Sequence, residues 1–357
     1  MTVLSFVHDA LPARVVFGQG TLRLLPEETE RLGLERVLVI STAEQKAQAN
    51  EIAARLGNRT ARIFPGAVMH TPVDVTDEAL AIAMDRRADG IVAIGGGSAI
   101  GLSKAIALRT DLPQIVIPTT YAGSEATPIL GETNKGEKTT LRSMKILPET
   151  ILYDVNLSIG LPVPMSMTSG LNAMAHAAEA LYSPDRNPLV DLMAEAGLAA
   201  MIEALPQIRT RSDDIEGRSA ALYGAWMCGS CLGSVGMALH HKICHTLGGA
   251  FGLPHAEMHA IMLPHSLAYN LVVLPEVRGK LARLFKHVDP IKALENFARG
   301  LGVPRALRDI GMPEEGIEQA ADLAVKRPYP NPRPIEREAV REMLARAWAG
   351  EFPQMTA

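Results

Sequence analysis

A change of hydrophobic pattern at Leu161-Pro-Val-Pro164 divides the chain into two parts with different secondary structure. Before this segment, short β-branched runs alternate with amphipathic stretches, which is typical of a parallel sheet with crossover helices. After it, the strand pattern stops and helical periodicity continues to the end. At 357 residues the chain also exceeds the usual size of one hydrophobic core. We therefore expect an α/β domain over residues 1–158 and an all-helical domain over residues 159–357, with the active site in the cleft between them.

The order of these patterns predicts the architecture of both parts. Strands are expected at residues 14–17, 36–42, 60–64, 90–94, 114–117 and 151–153, with helices at residues 43–56, 77–87 and 99–108 between them. This order predicts a Rossmann-like open parallel sheet. In the second part, helices are expected at residues 169–182, 189–205 and 218–249. Repeated prolines exclude a regular helix at residues 327–334 and indicate an ordered loop or a lid.

Composition narrows the class of protein. The chain is 47% hydrophobic and 21% charged with a formal net charge of -4, which argues against disorder and against a nucleic-acid partner. No basic leader and no uninterrupted apolar run of about 18 residues is present, so we expect a cytoplasmic protein without a membrane partner. An odd number of cysteines, three, fits a reducing compartment. A homodimer is the ordinary expectation for a soluble oligomer.

A glycine triplet indicates a nucleotide site. Gly95, Gly96 and Gly97, followed by Ser98, lie directly after a predicted strand and before a predicted helix, where exposed backbone amides suit a pyrophosphate. A tight turn without a ligand gives the same pattern. The next strand is followed by Thr119 and Thr120, so a second polar loop is expected at the same edge of the sheet, which favours the nucleotide site.

The end of the second strand predicts cofactor choice. An acidic residue at this point normally binds the ribose 2′-hydroxyl and repels a 2′-phosphate. Here the strand ends in Ser41 and Thr42, with Lys46 nearby, so we expect both NADH and NADPH to be accepted. Thr42 as a simple helix cap is compatible with the same pattern.

Five ligand-type side chains occur in the second part, and four of them form two pairs at helical spacing. Asn172 and His176 lie four residues apart, as do His241 and His245, and His255 follows Gly248 and Gly249, which are expected to end that helix. Any one of these histidines is more often structural. Two polar pairs on otherwise apolar helix faces favour convergence on one cavity, because an unpartnered buried imidazole is costly.

This constellation resembles the iron-containing alcohol dehydrogenases, which share their fold with the dehydroquinate synthases, and the resemblance spans nearly the whole chain. It implies a divalent metal held by one aspartate and three histidines in the relatives. The aspartate position is Asn172 here, and the matching histidines are His176, His241 and His255. By the same resemblance, His245 corresponds to a histidine near the nicotinamide that is assigned a role in proton transfer.

At two places the chain departs from the general pattern of this family, and at both it resembles the maleylacetate reductase branch. Gly101 replaces the aspartate of the pattern Gly-Gly-Gly-Ser-x-x-Asp, and the loop from Pro118 to Glu125 is shortened. The resemblance implies reduction of the carbon–carbon double bond of maleylacetate to 3-oxoadipate in bacterial aromatic catabolism, with NADH or NADPH and a small dicarboxylate substrate. Because the neutral Asn172 removes a charge from a site meant for a dication, we expect no metal cofactor.

The chemistry implied by the resemblance assigns roles to the polar cluster. Hydride reaches the alkene carbon remote from the ketone, and the enolate that develops requires hydrogen-bond donors. We expect His241 and His245 to be those donors, with the other three side chains shaping the oxyanion pocket. Candidates for binding the substrate carboxylates, among which the sequence does not choose, are Lys145, Arg142, Lys242, Arg327 and Arg333.

Three alternatives remain open. A metal-dependent alcohol or glycerol dehydrogenase would use the amide oxygen of Asn172 as a ligand. A lyase related to dehydroquinate synthase would require more lysine and arginine around its metal than this chain provides. A catalytically silent scaffold would bind the nucleotide without turnover.

Overall fold

The structure is a computed structural model that describes residues 6–11, 13–135, 137–326 and 329–355. It forms two compact units, one of Ala10–Leu161 and one that comprises Pro162–Ala357 together with the described residues before Ala10. The expected domain boundary lay after residue 158, three residues before the observed division. The short helix α5, Val155–Ser158, still belongs to the first unit.

The first unit is built on a six-stranded parallel sheet in the order β1-β8-β5-β4-β2-β3. Its strands are β1 Arg14–Gly18, β2 Val37–Ile40, β3 Thr60–Phe64, β4 Gly90–Gly95, β5 Gln114–Pro118 and β8 Thr150–Asp154. The helices of this unit before α5 are α1 Leu25–Arg31, α2 Lys46–Leu56, α3 Val73–Asp85 and α4 Gly97–Thr110. The α/β fold with a parallel sheet is confirmed. Central strands such as β2 and β4 are buried at every residue, because a parallel sheet is covered on both faces.

An antiparallel hairpin of β6 Ile129–Asn134 and β7 Glu137–Arg142 was not expected from the sequence. Its residues are largely polar, which obscures the alternation typical of a strand. Leu130 and Leu141 provide its apolar face and pack with Ile146 near helix α4. The hairpin follows the loop that carries the predicted Thr119 and Thr120.

The second unit is helical throughout its described residues, which confirms the all-helical prediction. Its helices are α6 Val163–Ala180, α7 Pro188–Thr210, α8 Ile215–Ser234, α9 Leu239–Phe251, α10 His255–Leu271, α11 Pro275–Leu284, α12 Pro290–Leu301, α13 Gly316–Val325 and α14 Arg337–Ala349. Helix α6 is the central element, since it packs against α7, α8 and α10 and is buried from Ser166 to Ala180. Polar side chains on its faces therefore lie inside the unit.

The prediction of one helix over residues 218–249 is wrong. The chain leaves the helical conformation at Val235 and starts a new helix at Leu239, bent by 94° from the first. The second helix also passes Gly248 and Gly249 and ends at Phe251, where Gly252 adopts the left-handed conformation at φ 64°. The break exposes new helix amides in the core, and the carboxylate of Glu179 accepts hydrogen bonds from them.

Among the described residues, no single helix has both the length and the apolar character required to cross a membrane. Helices α8 and α9 satisfy these criteria only when they are taken together across their bend. Of the proline-rich segment, Arg327 and Pro328 lie outside the described residues, and the described residues 329–335 contain no helix.

Candidate active site

The three glycines of the predicted nucleotide loop lie in different environments. Gly95 ends β4 at φ 146°, and a Cβ there would lie 2.6 Å from Gln45 Oε1. A Cβ on Gly96 would lie 2.8 Å from Thr120 Cγ2. At Gly97, the first residue of α4, a Cβ would meet nothing within 4 Å. The first two glycines therefore permit close packing, and the third leaves the helix N-terminus open to an anion.

The structure brings both predicted cofactor loops together at the carboxyl ends of β4 and β5. The Thr119 amide donates to the Gly95 carbonyl at 3.0 Å, and the Gln45 side chain donates to Thr119 Oγ1 at 2.8 Å. Ser98 is half-buried in the first turn of α4. Gln45 is an additional residue of this cluster, and it connects the loop after β2 to the loop after β5.

The loop after β2 contains an acidic residue that the sequence interpretation overlooked. Ser41 is fully buried and donates its hydroxyl to the Thr42 carbonyl, so that hydroxyl already has an acceptor. Two hydrogen bonds, one from its own backbone amide and one from the Thr42 hydroxyl, lower the pKa of Glu44. Glu44 itself is exposed to solvent. The prediction that NADPH is accepted depended on the absence of an acidic residue after β2. Glu44 lies in this loop, so that premise is wrong.

The glycine at position 101 has a packing reason. A Cβ there would lie 2.4 Å from Thr71 Oγ1. Thr71 and the preceding His70 both have positive φ, 46° and 67°, which is strained for residues that are not glycine. The Thr71 side chain therefore occupies the space that a side chain at position 101, such as the aspartate of the related pattern, would need.

A buried lysine holds the segment that follows Thr119 and Thr120. Lys104 Nζ on α4 donates to the carbonyls of Ser124, Thr127 and Ile129 at 2.5, 2.7 and 3.0 Å. Burial lowers the pKa of Lys104 to about 7, and burial raises the pKa of the neighbouring Glu125 to about 6. The loop is therefore fixed to the same helix whose N-terminus faces the predicted pyrophosphate.

In the helical unit, the central helix α6 presents three polar side chains along one face. Asn172, His176 and Glu179 are spaced by four and three residues, and all are at least 97% buried, since their exposures are 3%, 3% and 1%. The Oδ1 atom of Asn172 is buried and has no hydrogen-bond partner among the described residues. Of these three, only Glu179 was absent from the predicted site.

Glu179 caps the N-terminus of helix α9. Its carboxylate accepts backbone hydrogen bonds from Ala238 at 3.0 Å and His240 at 2.8 Å, and a side-chain hydrogen bond from His241 Nδ1 at 2.6 Å. Burial opposes ionisation, but the His241 hydrogen bond and charge, together with the backbone donors, lower the pKa of Glu179 to about 2. The site therefore contains a buried carboxylate that is ionised at neutral pH.

His241 connects this carboxylate to His176. Its Nε2 lies 2.8 Å from His176 Nδ1. Because Nδ1 of His241 donates to Glu179, a neutral His241 accepts at Nε2 from His176. If the pair takes up one more proton, the direction of that hydrogen bond reverses. His241 is then an imidazolium that donates from Nε2, and His176 carries its hydrogen on Nε2. The carboxylate stabilises the charged state of this pair.

A second chain of side chains lies beside the first. His240 Nδ1 lies 2.9 Å from Ser266 Oγ, and His240 Nε2 lies 3.0 Å from His259 Nδ1. Burial lowers the pKa of His240 to about 3 and that of His259 well below 6.5, so both rings are neutral. The ring centre of His259 lies 5.2 Å from that of His241. The two chains therefore meet in one histidine cluster, defined as His176, His240, His241, His255 and His259.

The other predicted histidines occupy less central places. His255 stacks on His259 with ring centres 4.3 Å apart and is half-buried. His245 is exposed, and its ring centre lies 6.3 Å from that of His241. The structure therefore brings His176 and His241 into direct contact, places His255 beside them through His259, and leaves His245 at the surface of the unit.

The donors at the family's metal positions do not fit a divalent ion. The amide of Asn172 is neutral, and the His176 and His241 nitrogens that face each other share a proton in a hydrogen bond. In the described part of the chain, only His240, Cys244 and His259 bring three ligand atoms within 4.8 Å of one another. Burial raises the pKa of the Cys244 thiol well above its usual range, and the two imidazoles already share a proton. Neither arrangement includes an anionic ligand at neutral pH.

The basic residues proposed for carboxylate binding differ in the contacts that they make within their own units. Lys145 pairs with Asp111 at 3.6 Å, and Arg333 lies over the Tyr269 ring at 4.3 Å from its centre. Arg142 lies in the hairpin, and Arg327 is outside the described residues. Lys242, next to His241, makes no ion pair within the described ranges, and its Nζ lies 5.7 Å from the ring centre of Tyr329. The Tyr329 hydroxyl is itself buried without a partner there.

The sequence contained signals for the residues that were missed. Glu179 is seven residues after Asn172, on the same face of one helix, and His259 is four residues after His255. His240 precedes His241 directly, and its side chain contributes because the new helix begins just before it. The break at residues 235–238, which was not predicted from the sequence, places the start of α9 against Glu179.

The fold, the cofactor loops after β4 and β5, and the histidine cluster together define a class of oxidoreductase. The model of the iron-containing alcohol dehydrogenase family matches residues 12–155, and its C-terminal counterpart matches residues 166–348. The chain therefore belongs to the iron-containing alcohol dehydrogenase family, which confirms the resemblance drawn from the sequence.

Similar proteins within this family are maleylacetate reductases. The chain is 54% identical over 349 residues to one from Rhizobium sp. (strain MTP-10005), covering 98% of this chain and 99% of that protein. It is 50% identical to one from Sphingobium indicum, covering 99% of this chain and 100% of that protein. The crystal structure of maleylacetate reductase from Agrobacterium tumefaciens superimposes with a TM-score of 0.95 at 54% identity, covering 98% and 100% of the two chains.

Proposed function

We propose that the chain is a maleylacetate reductase that uses NADH or NADPH to reduce the carbon–carbon double bond of maleylacetate to 3-oxoadipate without a metal. The relatives at about half identity over their full length support the activity. The observation that carries the metal-independent chemistry is the hydrogen-bonded series Glu179, His241 and His176. A proton taken up by the His241–His176 pair would lie beside the ionised Glu179 carboxylate, where related enzymes hold a cation.

The cofactor is proposed to bind at the loops after β4 and β5. When bound, the nicotinamide supplies a hydride to the alkene carbon remote from the ketone. Gly97 leaves the N-terminus of α4 open for the pyrophosphate, and Gln45 holds Thr119 in place. Lys104 fixes the segment from Ser124 to Ile129 so that the loop stays in position.

The helical unit is proposed to neutralise the charge that develops on the ketone oxygen. When the pair carries an added proton, His176 Nε2 is a hydrogen-bond donor. His176 then transfers this hydrogen to the enolate. The proton on His241 Nε2 returns at the same time to His176 Nδ1. Glu179 remains ionised throughout. In this proposal His176 is the direct donor, His241 supplies its proton, and the exposed His245 has a supporting role. The proposal therefore revises the expectation that His241 and His245 both donate directly.

The substrate carboxylates require cationic or hydroxyl donors, and Lys242 with Tyr329 is the proposed pair. Lys242 is half-buried beside His241, and the buried hydroxyl of Tyr329 has no partner among the described residues. A carboxylate bound there would accept hydrogen bonds from both groups. Replacing Lys242 with Met should raise KM for maleylacetate more than it lowers kcat, with Lys145→Met as the exposed control.

NADH oxidation with maleylacetate, measured in chelator-treated buffer, tests the proposal. Turnover that persists after chelation, with substoichiometric iron and zinc by elemental analysis, is the expected result. One tightly bound metal per chain, with activity lost on its removal and restored by its return, would instead identify a metal-dependent dehydrogenase of the same family. The homodimer stays a prediction that sedimentation analysis tests.

A further inference from the structure

Two buried hydrogen-bond acceptors on helices α6 and α10 have no donor within the described part of the chain. They are Oδ1 of Asn172 and Nε2 of His259, which belong to side chains with 3% and 0% exposure. Leaving such an atom unpaired is unfavourable, because it loses its hydrogen bonds to water without replacement. Both side chains belong to helices that contribute to the histidine cluster, so a ligand of this cluster that carries hydrogen-bond donors would satisfy them.

The direction of the hydrogen bonds fixes which nitrogen of His259 is bare. Ser266 donates its hydroxyl hydrogen to the carbonyls of Met262 or Leu263, at 2.9 and 3.1 Å. Its oxygen therefore accepts from His240 Nδ1, which leaves His240 Nε2 as an acceptor. His259 Nδ1 must then be the donor to His240, at 3.0 Å. A neutral ring with hydrogen on Nδ1 presents a lone pair at Nε2.

We infer that His259 is a further residue of the active site, whose Nε2 accepts a hydrogen bond from an O–H group at the reacting end of the substrate. The inference rests on the proposed function, since reduction of an enone produces an enolate that becomes an enol O–H on protonation at oxygen. An ordered water that bridges to the substrate supplies the same chemistry. A carboxylate cannot fill this position, because it offers only acceptors.

The chain behind His259 is an anchor and does not conduct protons to solvent. It ends at Ser266, which is 0% exposed and whose hydrogen is bound to backbone carbonyls of its own helix. Such a chain holds one tautomer, as the hydrogen-bond partners of metal-bound histidines do in other sites. The lone pair at Nε2 is therefore present before the substrate arrives, beside the rings of His241 and His255.

Two amide replacements separate the two nitrogens of His259. His259→Asn places an amide near Nδ1, which keeps the donor to His240 and removes the acceptor at the Nε2 position. His259→Gln places an amide oxygen near Nε2 and removes the donor to His240. We expect the Asn variant to lose at least about tenfold in kcat/KM for maleylacetate and the Gln variant to stay within about threefold of wild type. A fall confined to kcat indicates a water or enol bound in the transition state, and a rise in KM indicates an O–H of the bound substrate.

The matched control is His265→Asn, because His265 is a buried neutral imidazole on the same helix, with burial lowering its pKa to about 3. It should change the melting temperature and leave kcat and KM unaltered. If His259→Asn retains wild-type kcat and KM, or if His259→Gln is the more impaired variant, the inference is wrong.

A ring-nitrogen NMR spectrum of the wild-type protein tests the inference without turnover. The expected spectrum shows His259 with hydrogen on Nδ1 and an unprotonated Nε2, and His259→Gln identifies the signal. An Nε2–H tautomer contradicts the inference even if maleylacetate is reduced. If the expected tautomer is found and wild-type protein does not reduce maleylacetate, the proposed function fails while the assignment of the acceptor stands.

Discussion

The carboxylate of Glu179 lies 2.6 Å from His241 Nδ1 and also accepts the backbone N–H groups that begin the helix carrying His241. One side chain thus orients the imidazole and holds the helix from which it projects. The local geometry of the histidine cluster and its electrostatics therefore depend on the same residue.

Glu179→Gln should lower kcat by about 100-fold or more, comparable to loss of a donor that stabilises an oxyanion. The amide nitrogen must replace one of the two carboxylate oxygens. It cannot accept the backbone hydrogen bond that this oxygen receives from His240 or from Ala238. Loss of one partner of a buried charged pair also destabilises the fold by about 3–5 kcal/mol. Steady-state kinetics and thermal unfolding measure both effects.

Glu295→Gln is the control for this change, since Glu295 is a buried carboxylate that pairs with Arg299 within helix α12. It should reduce stability and leave the rate of the folded enzyme unchanged. Wild-type kcat in folded Glu179→Gln would show that the charge has no part in catalysis.

The helical unit should lose stability as pH falls below about 6.5. Burial lowers the pKa of His240 and His265 to about 3 each, and it lowers the pKa of His259 well below 6.5. Between these values and 6.5 the unfolded chain binds protons that the folded chain does not, so stability is present above 6.5 and is lost on acidification. Each such histidine contributes about 1.4 kcal/mol per pH unit well below pH 6.5.

Urea unfolding of the whole protein between pH 7 and pH 5 checks this dependence. Glu125 has the opposite sign, because burial raises its pKa to about 6 and the folded state then binds the proton more tightly. His265→Leu should make the pH dependence less steep. Stability that is constant over this range would contradict the neutral state of these rings.

Glu44→Gln should raise kcat/KM for NADPH relative to NADH. The Glu44 carboxylate is hydrogen-bonded by Thr42 at the end of β2 and repels a 2′-phosphate placed there. In wild-type protein we still expect the two cofactors to differ by less than about 100-fold, because Glu44 is exposed to solvent. Equal effects of the substitution on both cofactors would show that the ribose binds elsewhere. Glu51→Gln, on the exposed face of α2, is the control.

Gly101→Ala should destabilise the α/β unit by about 1–3 kcal/mol, since its Cβ would lie 2.4 Å from Thr71 Oγ1. Thr71→Ala should relieve most of this loss in the double variant, because it removes the atom that clashes. Gly97→Ala, which meets nothing within 4 Å, should leave stability unaffected and is the matched control. Additive losses in the double variant would contradict the proposed contact, and chemical denaturation of the four variants decides the outcome.

The six strands of the parallel sheet could be predicted because each is recorded in a local pattern. Residues 60–64 were predicted as a strand and are β3, and the glycine triplet was placed at the end of β4. A parallel strand buried on both faces is a continuous apolar run, which is visible without tertiary information. The polar hairpin of β6 and β7 lacked such a run and was missed.

The sequence by itself determined the two-part organisation, the family and the helical spacing that places Asn172 with His176 and His241 with His245. Only the tertiary structure decided which of these side chains meet. The helix break before Leu239 brings Glu179 to His241, leaves His245 exposed and brings His259 into the histidine cluster. Periodicity fixes which residues share a face of one helix, whereas contacts between helices depend on where each helix begins and how it packs, and that information is spread over the whole chain.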